Sequence, residues 1–292
     1  MGIKEEIRDS FKEGTTLTKL IYINLGVFVV VGLINVALML FAVKSYWINY
    51  LMLPADLGKL LYTPWTIISY MFLHTGFIHL IFNVLMLYWF GKIFMSFFAQ
   101  RDLVGLYLIG GIAGGVLYIL AYHTFPVFAG KIEGSYLLGA SASVLAIIVA
   151  AGVTSPDYTV RLLIFGDVRL KWIAVAGVLI SLLNVASSNA GGEIAHLGGA
   201  LAGYIFAVRY KKGSNITDGT NRFLDNLVDM FRKKPTLRVT HKRTFADPDH
   251  EYNLRKKQEN DNIDRILEKI KKGGYESLTK DEKQELFRAS QR

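Results

Sequence analysis

Residues 74–98 read HTGFIHLIFNVLMLYWFGKIFMSFF and are apolar at most positions after residue 76. A helix needs about 20 apolar residues to cross the hydrocarbon core of a bilayer, so this stretch predicts a transmembrane helix. It also carries His79 and Asn83 close to its start. Polar side chains are costly inside a bilayer, and their default role there is functional or helix-joining. The stretch therefore indicates a membrane protein with polar chemistry inside one of its spans.

Five further apolar segments complete a predicted bundle of six transmembrane helices. In chain order the six segments are residues 21–43, 77–98, 103–122, 136–153, 172–186 and 194–208. The first is too long for the apolar core of a signal peptide, and no small-residue cleavage site follows it. Six crossings return the chain to its starting side. The expected fold class is an all-α membrane protein, a six-helix bundle with a cytoplasmic helical tail.

The basic residues of the predicted loops orient this bundle. The chain has 33 Lys and Arg against 24 Asp and Glu, a net charge of +9, and no cysteine that could form a disulfide or a catalytic thiolate. Cytoplasmic loops carry an excess of Lys and Arg, which places both termini in the cytoplasm and accounts for the charge without a nucleic-acid partner. With that orientation the inner loops hold Arg101, Arg161, Arg169, Lys171, Arg209, Lys211 and Lys212, and the outer loops hold Lys44, Lys59 and Lys131.

The chain divides into four predicted regions. Residues 1–20 form a cytoplasmic N-terminal segment, 21–210 the six-helix domain, 211–261 a basic linker with an amphipathic helix, and 262–292 a C-terminal helical hairpin. The helix presents one apolar face, which we expect to lie on the inner leaflet. In the hairpin, Thr279 and Glu282 have the spacing of a capping box and predict a helix start. We expect the hairpin to recruit a partner protein or to self-associate.

Three reactive side chains lie near the outer starts of predicted helices two, four and six. These are His79, then Ser141 about five residues into its segment, and His196 about two residues into its segment. At about 1.5 Å per residue, Ser141 is expected roughly 8 Å below the outer end of its helix. The topology therefore predicts that all three groups lie in the same leaflet.

A serine hydroxyl becomes a useful nucleophile when a base accepts its proton, and His196 is the candidate base. His79 and Asn83 lie four residues apart on one helical face, where both can donate to a developing oxyanion. Most serines and small-residue pairs in membrane helices serve packing alone, so Ser141 taken by itself favours a structural role, and Ser143 is a second candidate nucleophile. Small residues that allow two helices to approach closely surround the site at Gly139, Gly199 and Gly203.

Three motifs occur in order on predicted helices two, four and six: HTGFIHLIFN at 74–83, GAS at 139–141 and AHLGGALAG at 195–203. Together they resemble the motifs of the rhomboid family of intramembrane serine proteases, over roughly residues 20–210. The resemblance implies that Ser141 is the nucleophile and His196 its general base in a catalytic dyad. It implies that His79, Asn83 and the backbone N–H of Ser141 stabilise the oxyanion, and that His74 has a supporting role.

The sequence departs from the family pattern at two positions beside the nucleophile. Ala142 follows the serine where the family usually has glycine, and Leu145 occupies a position that is aromatic in some members. Neither departure removes a reacting group. The basic tail with its predicted hairpin is similar to a segment found after some bacterial rhomboids, which implies a multi-pass protein of the bacterial inner membrane.

The first functional hypothesis is therefore an intramembrane serine endopeptidase that cleaves transmembrane segments of other membrane proteins near the outer face, with no metal and no cofactor. The alternative is a catalytically silent rhomboid-like protein that binds or escorts membrane proteins. A zinc protease is disfavoured because the sequence has no HExxH motif. A solute transporter is disfavoured because neither an inverted repeat nor an acidic residue is evident in the predicted helices.

Overall fold

The computed structural model describes residues 3–162, 166–231 and 248–290. The chain forms two compact units, Met1–Lys233 and Lys234–Arg292. The helices of the first unit are α1 (Ile3–Glu13), α2 (Thr16–Leu40), α3 (Leu57–Tyr62), α4 (Thr66–Ser69), α5 (Phe77–Met95), α6 (Gln100–Thr124), α7 (Ser141–Thr154), α8 (Leu170–Leu183), α9 (Ala190–Lys211) and α10 (Thr217–Phe231). Short 3₁₀ segments cover Trp47–Tyr50, Tyr70–Phe72, Pro126–Gly134 and Asn184–Ala186.

Two antiparallel strand pairs lie in the connections between these helices. Strand β1 (Leu53–Pro54) pairs with β2 (Tyr136–Leu137), and β3 (Thr159–Leu162) pairs with β4 (Gly166–Arg169). The first pair joins the connection before α3 to the segment before α7. The second is a hairpin between α7 and α8.

The bundle is that of an all-α integral membrane protein, which confirms the predicted fold class. Among the described residues, α2, α5 and α6 are long and apolar enough to cross a membrane. Helices α7 and α8 are apolar but have 14 residues each. At 1.5 Å per residue they reach about 21 Å, less than the roughly 30 Å of a hydrocarbon core.

Helix α7 is the centre of the bundle. All its residues from Ala142 to Gly152 are buried, and α5, α6, α8 and α9 pack around it. A helix that is apolar on every side is stable only when it is surrounded in this way. The core of the protein is therefore built around the helix that begins with Ser141.

At two helices, the difference between the predicted and the observed start changes the position of a candidate site residue within its helix. Residues 136–140 are not helical, because 136–137 pair as β2 and Gly139 has a φ of +124°. A positive φ is incompatible with a right-handed helix, so α7 begins at Ser141 and the serine does not lie five residues inside its helix. Helix α9 begins earlier than predicted, at Ala190, so His196 lies almost two turns from its start.

Glycines on α9 allow it to lie directly against α7. A Cβ placed on Gly199 would collide with the carbonyl oxygen of Ala142, and one placed on Gly203 would collide with that of Ala146. A Cβ on Gly198 would lie 2.6 Å from the carbonyl oxygen of Ala113 on α6. Small side chains are the usual means by which membrane helices reach such separations.

A buried carboxylate joins α10 to the start of α6. The Oδ1 atom of Asp102 accepts hydrogen bonds from Asn215 Nδ2 at 2.9 Å, Thr217 Oγ1 at 2.7 Å and Asn221 Nδ2 at 3.3 Å. Burying a charge is costly unless it is paired or hydrogen-bonded, and these three donors offset that cost. One face of the predicted amphipathic helix thus packs on the bundle, while Phe223 and Val228 stay exposed.

Hydrogen bonds between helix ends place the starts of α2 and α6 and the ends of α7 and α9 at one face of the bundle, since Asn215, just after α9, also donates to Asp102 at the start of α6. The backbone N–H at Thr16, where α2 begins, donates to Gln100 at the start of α6, and Lys211 at the end of α9 donates to the carbonyl of Val153 near the end of α7. The start of α7, with Ser141, is at the opposite end of that helix. Ser141 therefore lies at the opposite face of the bundle from the start of α2 and the basic end of α9.

The second unit consists of α11 (Pro248–Gly273), a 3₁₀ turn at Tyr275–Ser277, and α12 (Lys280–Ser290). Helix α11 begins well before the predicted residue 262, since proline is favoured in the first turn of a helix. It ends at Gly273, and the next residue, Gly274, has a φ of +74° and donates its N–H to the carbonyl of Ile270 at 2.8 Å. Ile266 and Leu278 are the buried apolar side chains of this unit.

The predicted capping box is present at the start of α12. The backbone N–H of Thr279 donates to Glu282 Oε2 at 2.8 Å, and the backbone N–H of Glu282 donates to Thr279 Oγ1 at 3.3 Å. Glu282 also accepts from Lys269 Nζ of α11 at 2.9 Å. The hydrogen bond from Lys269, followed by that from the Thr279 N–H, lowers the pKa of Glu282 from 4.5 to about 2.

We expect Gly203→Ala to lower the free energy of unfolding by roughly 1–3 kcal/mol, because the new methyl group meets backbone that cannot rotate away. The matched control is Gly26→Ala on α2, where a Cβ meets nothing within 4 Å. Thermal unfolding in detergent measures both variants. Equal melting temperatures for the two variants would contradict the described packing of α7 and α9.

We expect Glu282→Gln to loosen the hairpin at neutral pH. Because the pKa of the Glu282 carboxyl is depressed, its contribution to stability is present above about pH 4.5 and is lost as the pH falls through about 2. Hydrogen–deuterium exchange of the full-length chain at pH 7 should show faster exchange in α12 and the end of α11. Glu285→Gln, at an exposed position on the same helix, is the control and should exchange like the wild type.

Candidate active site

A polar cavity of about 620 Å³ lies where the starts of α5, α7 and α9 meet. Its lining includes the four polar side chains predicted from the sequence, His79, Asn83, Ser141 and His196. Tyrosines of α6, the segment 134–138 and the glycine-rich start of α9 complete the wall. The three helices thus bring residues that are far apart in the sequence to one hollow.

The backbone before α7 sets the position of Ser141. Gly139 adopts a φ of +124°, and its N–H donates to the carbonyl of Tyr70 at 2.9 Å. Few L-residues adopt that φ, so glycine is required where the strand turns into the helix. Ser141 follows as the first residue of α7, where the backbone N–H groups of a helix have no intrahelical acceptor.

Ser141 and His196 are in hydrogen-bond contact. The distance between Ser141 Oγ and His196 Nε2 is 2.6 Å. The hydroxyl donates when the imidazole is neutral with its proton on Nδ1. The glycines of α9 make this contact possible, since Gly199 brings its helix against the carbonyl of Ala142, the residue after the serine.

Two residues that the sequence interpretation missed contact the other nitrogen of the imidazole. His196 Nδ1 lies 3.2 Å from Glu193 Oε2 and 3.1 Å from Ser181 Oγ. Glu193 precedes His196 by three residues on the same helix, a spacing that brings side chains together and that the sequence did contain. The predicted start of the sixth helix at residue 194 excluded it. The expectation that the helices hold no acidic residue is therefore wrong.

His79 and Asn83 lie on the α5 side of the cavity. A Cβ placed on Gly139 would lie 3.2 Å from His79 Cε1, so this imidazole is adjacent to the turn before Ser141. Asn83 Nδ2 donates to the carbonyl of His79 at 2.9 Å, which leaves the second N–H of the amide for another acceptor. Both side chains are thus within the hollow, with Asn83 anchored to its own helix.

His74 is buried behind His79. The two rings are 5.2 Å apart between centroids and meet edge to face. Neither ring nitrogen of His74 has a hydrogen-bond partner in the part of the chain that the structure describes. The contact places His74 where it can restrict the orientation of His79, and His74 is not among the residues that line the polar cavity.

An apolar cavity of about 690 Å³ adjoins the polar one between α5, α7 and α8. Most of its lining is apolar, with Met86 and Phe90 of α5 and Trp172 and Ile173 of α8 among its residues. Ser141, His196 and Glu193 also line it. The serine and histidine therefore lie at the boundary between a hollow that suits water and one that suits apolar side chains.

Comparison with known proteins gives three matches. The family model described as Rhomboid domain matches residues 62–212, just over half of the chain. A family of unknown function (DUF6576) matches residues 247–292, which include the helical hairpin. The chain is 30% identical over 207 residues to RHOMBOID-like protein 12, mitochondrial, of Arabidopsis thaliana. The match covers 66% of this chain and 58% of that protein, so the chain spans little more than half the length of this relative.

Ser143, two residues after Ser141 on α7, is expected to tolerate substitution. Ser143 is fully buried, and its hydroxyl has no hydrogen-bond partner among the described residues. Replacing a buried unpaired hydroxyl removes a desolvation cost, so we expect Ser143→Ala to keep or raise the melting temperature in detergent. A clear fall in the melting temperature would show that the Ser143 hydroxyl is bonded, and would contradict this description.

Proposed function

This chain belongs to the rhomboid family, and we propose on that premise that it is an intramembrane serine endopeptidase that uses a dyad of Ser141 and His196. The observation that carries the proposal is the 2.6 Å contact between Ser141 Oγ and His196 Nε2. A structural hydrogen bond between two membrane helices needs no cavity. This one opens on a polar hollow of about 620 Å³, which gives a reacting carbonyl room to approach.

In the proposed reaction, Ser141 Oγ attacks the scissile carbonyl carbon while His196 Nε2 takes the hydroxyl proton. The resulting imidazolium then gives that proton to the leaving amine, and the C–N bond breaks to leave an acyl-enzyme. A water molecule in the polar hollow adds to the ester with His196 again as base. The carboxylate product departs and Ser141 regains its proton.

The tetrahedral intermediate carries a negative charge on the former carbonyl oxygen, which needs prepared donors. We assign this role to the backbone N–H of Ser141, the imidazole of His79, and the second N–H of the Asn83 amide. The bond from Asn83 Nδ2 to the His79 carbonyl orients that amide in advance. His74, edge to face with His79, acts by holding the His79 ring in place.

The proposed substrates are transmembrane segments of other membrane proteins. The apolar cavity between α5 and α8 supplies a bilayer-like path that ends at Ser141, and the adjoining polar hollow supplies water. A segment that unwinds locally would present its peptide bond at this boundary. No cofactor is needed for the reaction.

The protein is an integral membrane protein, and we propose that both termini are cytoplasmic in a bacterial cell membrane. The basic end of α9, the two arginines of the β3–β4 hairpin (Arg161 and Arg169) and Lys171 at the start of α8 would then follow the positive-inside rule. Ser141 would open toward the outer face, and cleavage would occur near that face. In this arrangement α10 would lie at the inner leaflet with Phe223 and Val228 toward lipid, and the hairpin of α11 and α12 would be free to bind a partner or a second copy.

We expect Ser141→Ala and His196→Ala each to reduce cleavage of a model transmembrane substrate in liposomes by at least about 10³-fold, because either change removes a member of one catalytic unit. The same variants should lose labelling by a fluorophosphonate serine probe. Ser143→Ala, two residues along α7, should retain both activities.

Undiminished cleavage by either dyad variant would overturn the proposal. A folded wild-type protein that neither labels nor cleaves would favour a silent rhomboid-like protein that binds membrane segments. Melting temperatures of all variants in detergent separate loss of chemistry from loss of fold.

A further inference from the structure

We propose that Glu193 is a positioning residue that fixes the tautomer and orientation of His196 and balances the charge that the imidazole acquires. The inference rests on the proposed function and adds to the dyad a third, acidic member on the same helix as the base. Its basis is the run of contacts from Ser141 Oγ to His196 Nε2 at 2.6 Å and from His196 Nδ1 to Glu193 Oε2 at 3.2 Å.

The helix itself fixes the position of the carboxylate. Glu193 lies in the first turn of α9, where its N–H donates to the carbonyl of Asn189 at 3.1 Å. Residues three apart on a helix project from the same face, so Glu193 and His196 meet without help from another element. A carboxylate near the N-terminus of a helix also interacts favourably with the helix dipole.

The first consequence concerns the tautomer of the imidazole. A neutral imidazole carries one proton, and Nε2 can accept from Ser141 only if that proton is on Nδ1. A carboxylate within hydrogen-bond distance of Nδ1 accepts this N–H and cannot donate to the unprotonated form. Glu193 therefore favours the one neutral tautomer in which His196 can act as a base toward Ser141.

The second consequence concerns charge during the reaction. When Nε2 takes the serine proton, the ring becomes an imidazolium in a low-dielectric environment, where an uncompensated charge is costly. The side chains of Glu193 and His196 are 14% and 21% exposed, so water screens the pair only partly. A carboxylate 3.2 Å from the ring stabilises this state more than the neutral ground state, which is the condition for a gain in rate.

Ser181 is the other acceptor near Nδ1, and it is the weaker of the two. Its hydroxyl lies 3.1 Å from Nδ1, comes from α8, and is buried. A neutral hydroxyl forms a weaker hydrogen bond to an imidazolium than a carboxylate does. Ser181 also lacks the charge that opposes the imidazolium. We therefore assign the rate effect to Glu193 and a minor orienting contact to Ser181.

The test compares Glu193→Gln, Glu193→Asp and Ser181→Ala with the wild-type protein in liposomes. Glu193→Gln keeps the shape but loses the charge, and its NH₂ group can donate to Nδ1 and favour the unproductive tautomer. We expect kcat to fall about 10- to 100-fold in Glu193→Gln, as for the loss of a charged hydrogen bond. KM and the melting temperature should change little, and the rate of fluorophosphonate labelling of Ser141 should fall in parallel with kcat.

Two further variants separate positioning from a structural role. Glu193→Asp restores the charge and should recover kcat to several-fold above Glu193→Gln, whereas Ser181→Ala should lower kcat by less than about threefold. The control is Glu133→Gln, an exposed carboxylate in the 3₁₀ segment between α6 and α7, which should behave as the wild type. If Glu193→Gln fails to fold, Ser181→Ala still tests the ranking of the two acceptors, because a fall in its kcat of more than about threefold would contradict the minor role assigned to Ser181.

Each outcome has a distinct meaning. An active wild type with an equally active Glu193→Gln would overturn the inference and leave the proposed function intact. A rise in KM with unchanged kcat would assign Glu193 to substrate binding and also overturn it, as would a larger fall in kcat in Ser181→Ala than in Glu193→Gln. A folded wild type that neither cleaves nor labels would overturn the proposed function and this inference together.

Discussion

The close approach of α9 to α7 is the contact on which the rest of the structure depends. Gly199 and Gly203 place bare backbone against the carbonyls of Ala142 and Ala146, and no side chain larger than hydrogen fits there. The same contact brings an imidazole from one helix to a hydroxyl at the start of the other. The packing of α9 on α7 and the hydrogen bond between Ser141 and His196 therefore both depend on the short distance between these two helices.

Much of the fold and part of the site follow from sequence patterns with a direct physical basis. Apolar runs require burial in lipid or core, and the order of the spans determines that the starts of the second, fourth and sixth helices share one face. For that reason His79, Ser141 and His196 were expected together, and the structure does bring them together. The capping box of Thr279 and Glu282 was equally predictable, because its bonds depend only on local spacing.

The features that the sequence did not reveal depend on tertiary context. Nothing local in residues 136–140 excludes a helix. That segment is not helical because β2 pairs with β1 and because the Gly139 N–H donates to the carbonyl of Tyr70. Glu193 was missed because hydropathy predicts that the sixth helix starts at residue 194. In the structure α9 begins at Ala190, four residues before that predicted start. Asp102 holds α10 through hydrogen bonds from three different side chains. No periodic pattern in the sequence predicts that these three donors reach the same carboxylate.

Because Ser141 is the first residue of α7, it lies in the electric field of the helix dipole, an effect separate from its hydrogen bonds. The aligned peptide dipoles of a helix give its N-terminus a partial charge of about +0.5, and burial of α7 reduces the screening of that charge. An anion at this point is stabilised whatever its origin. In the proposed reaction, this charge would stabilise the newly formed carboxylate of a cleaved chain as well as the oxyanion, so slow release of the acidic product would limit turnover.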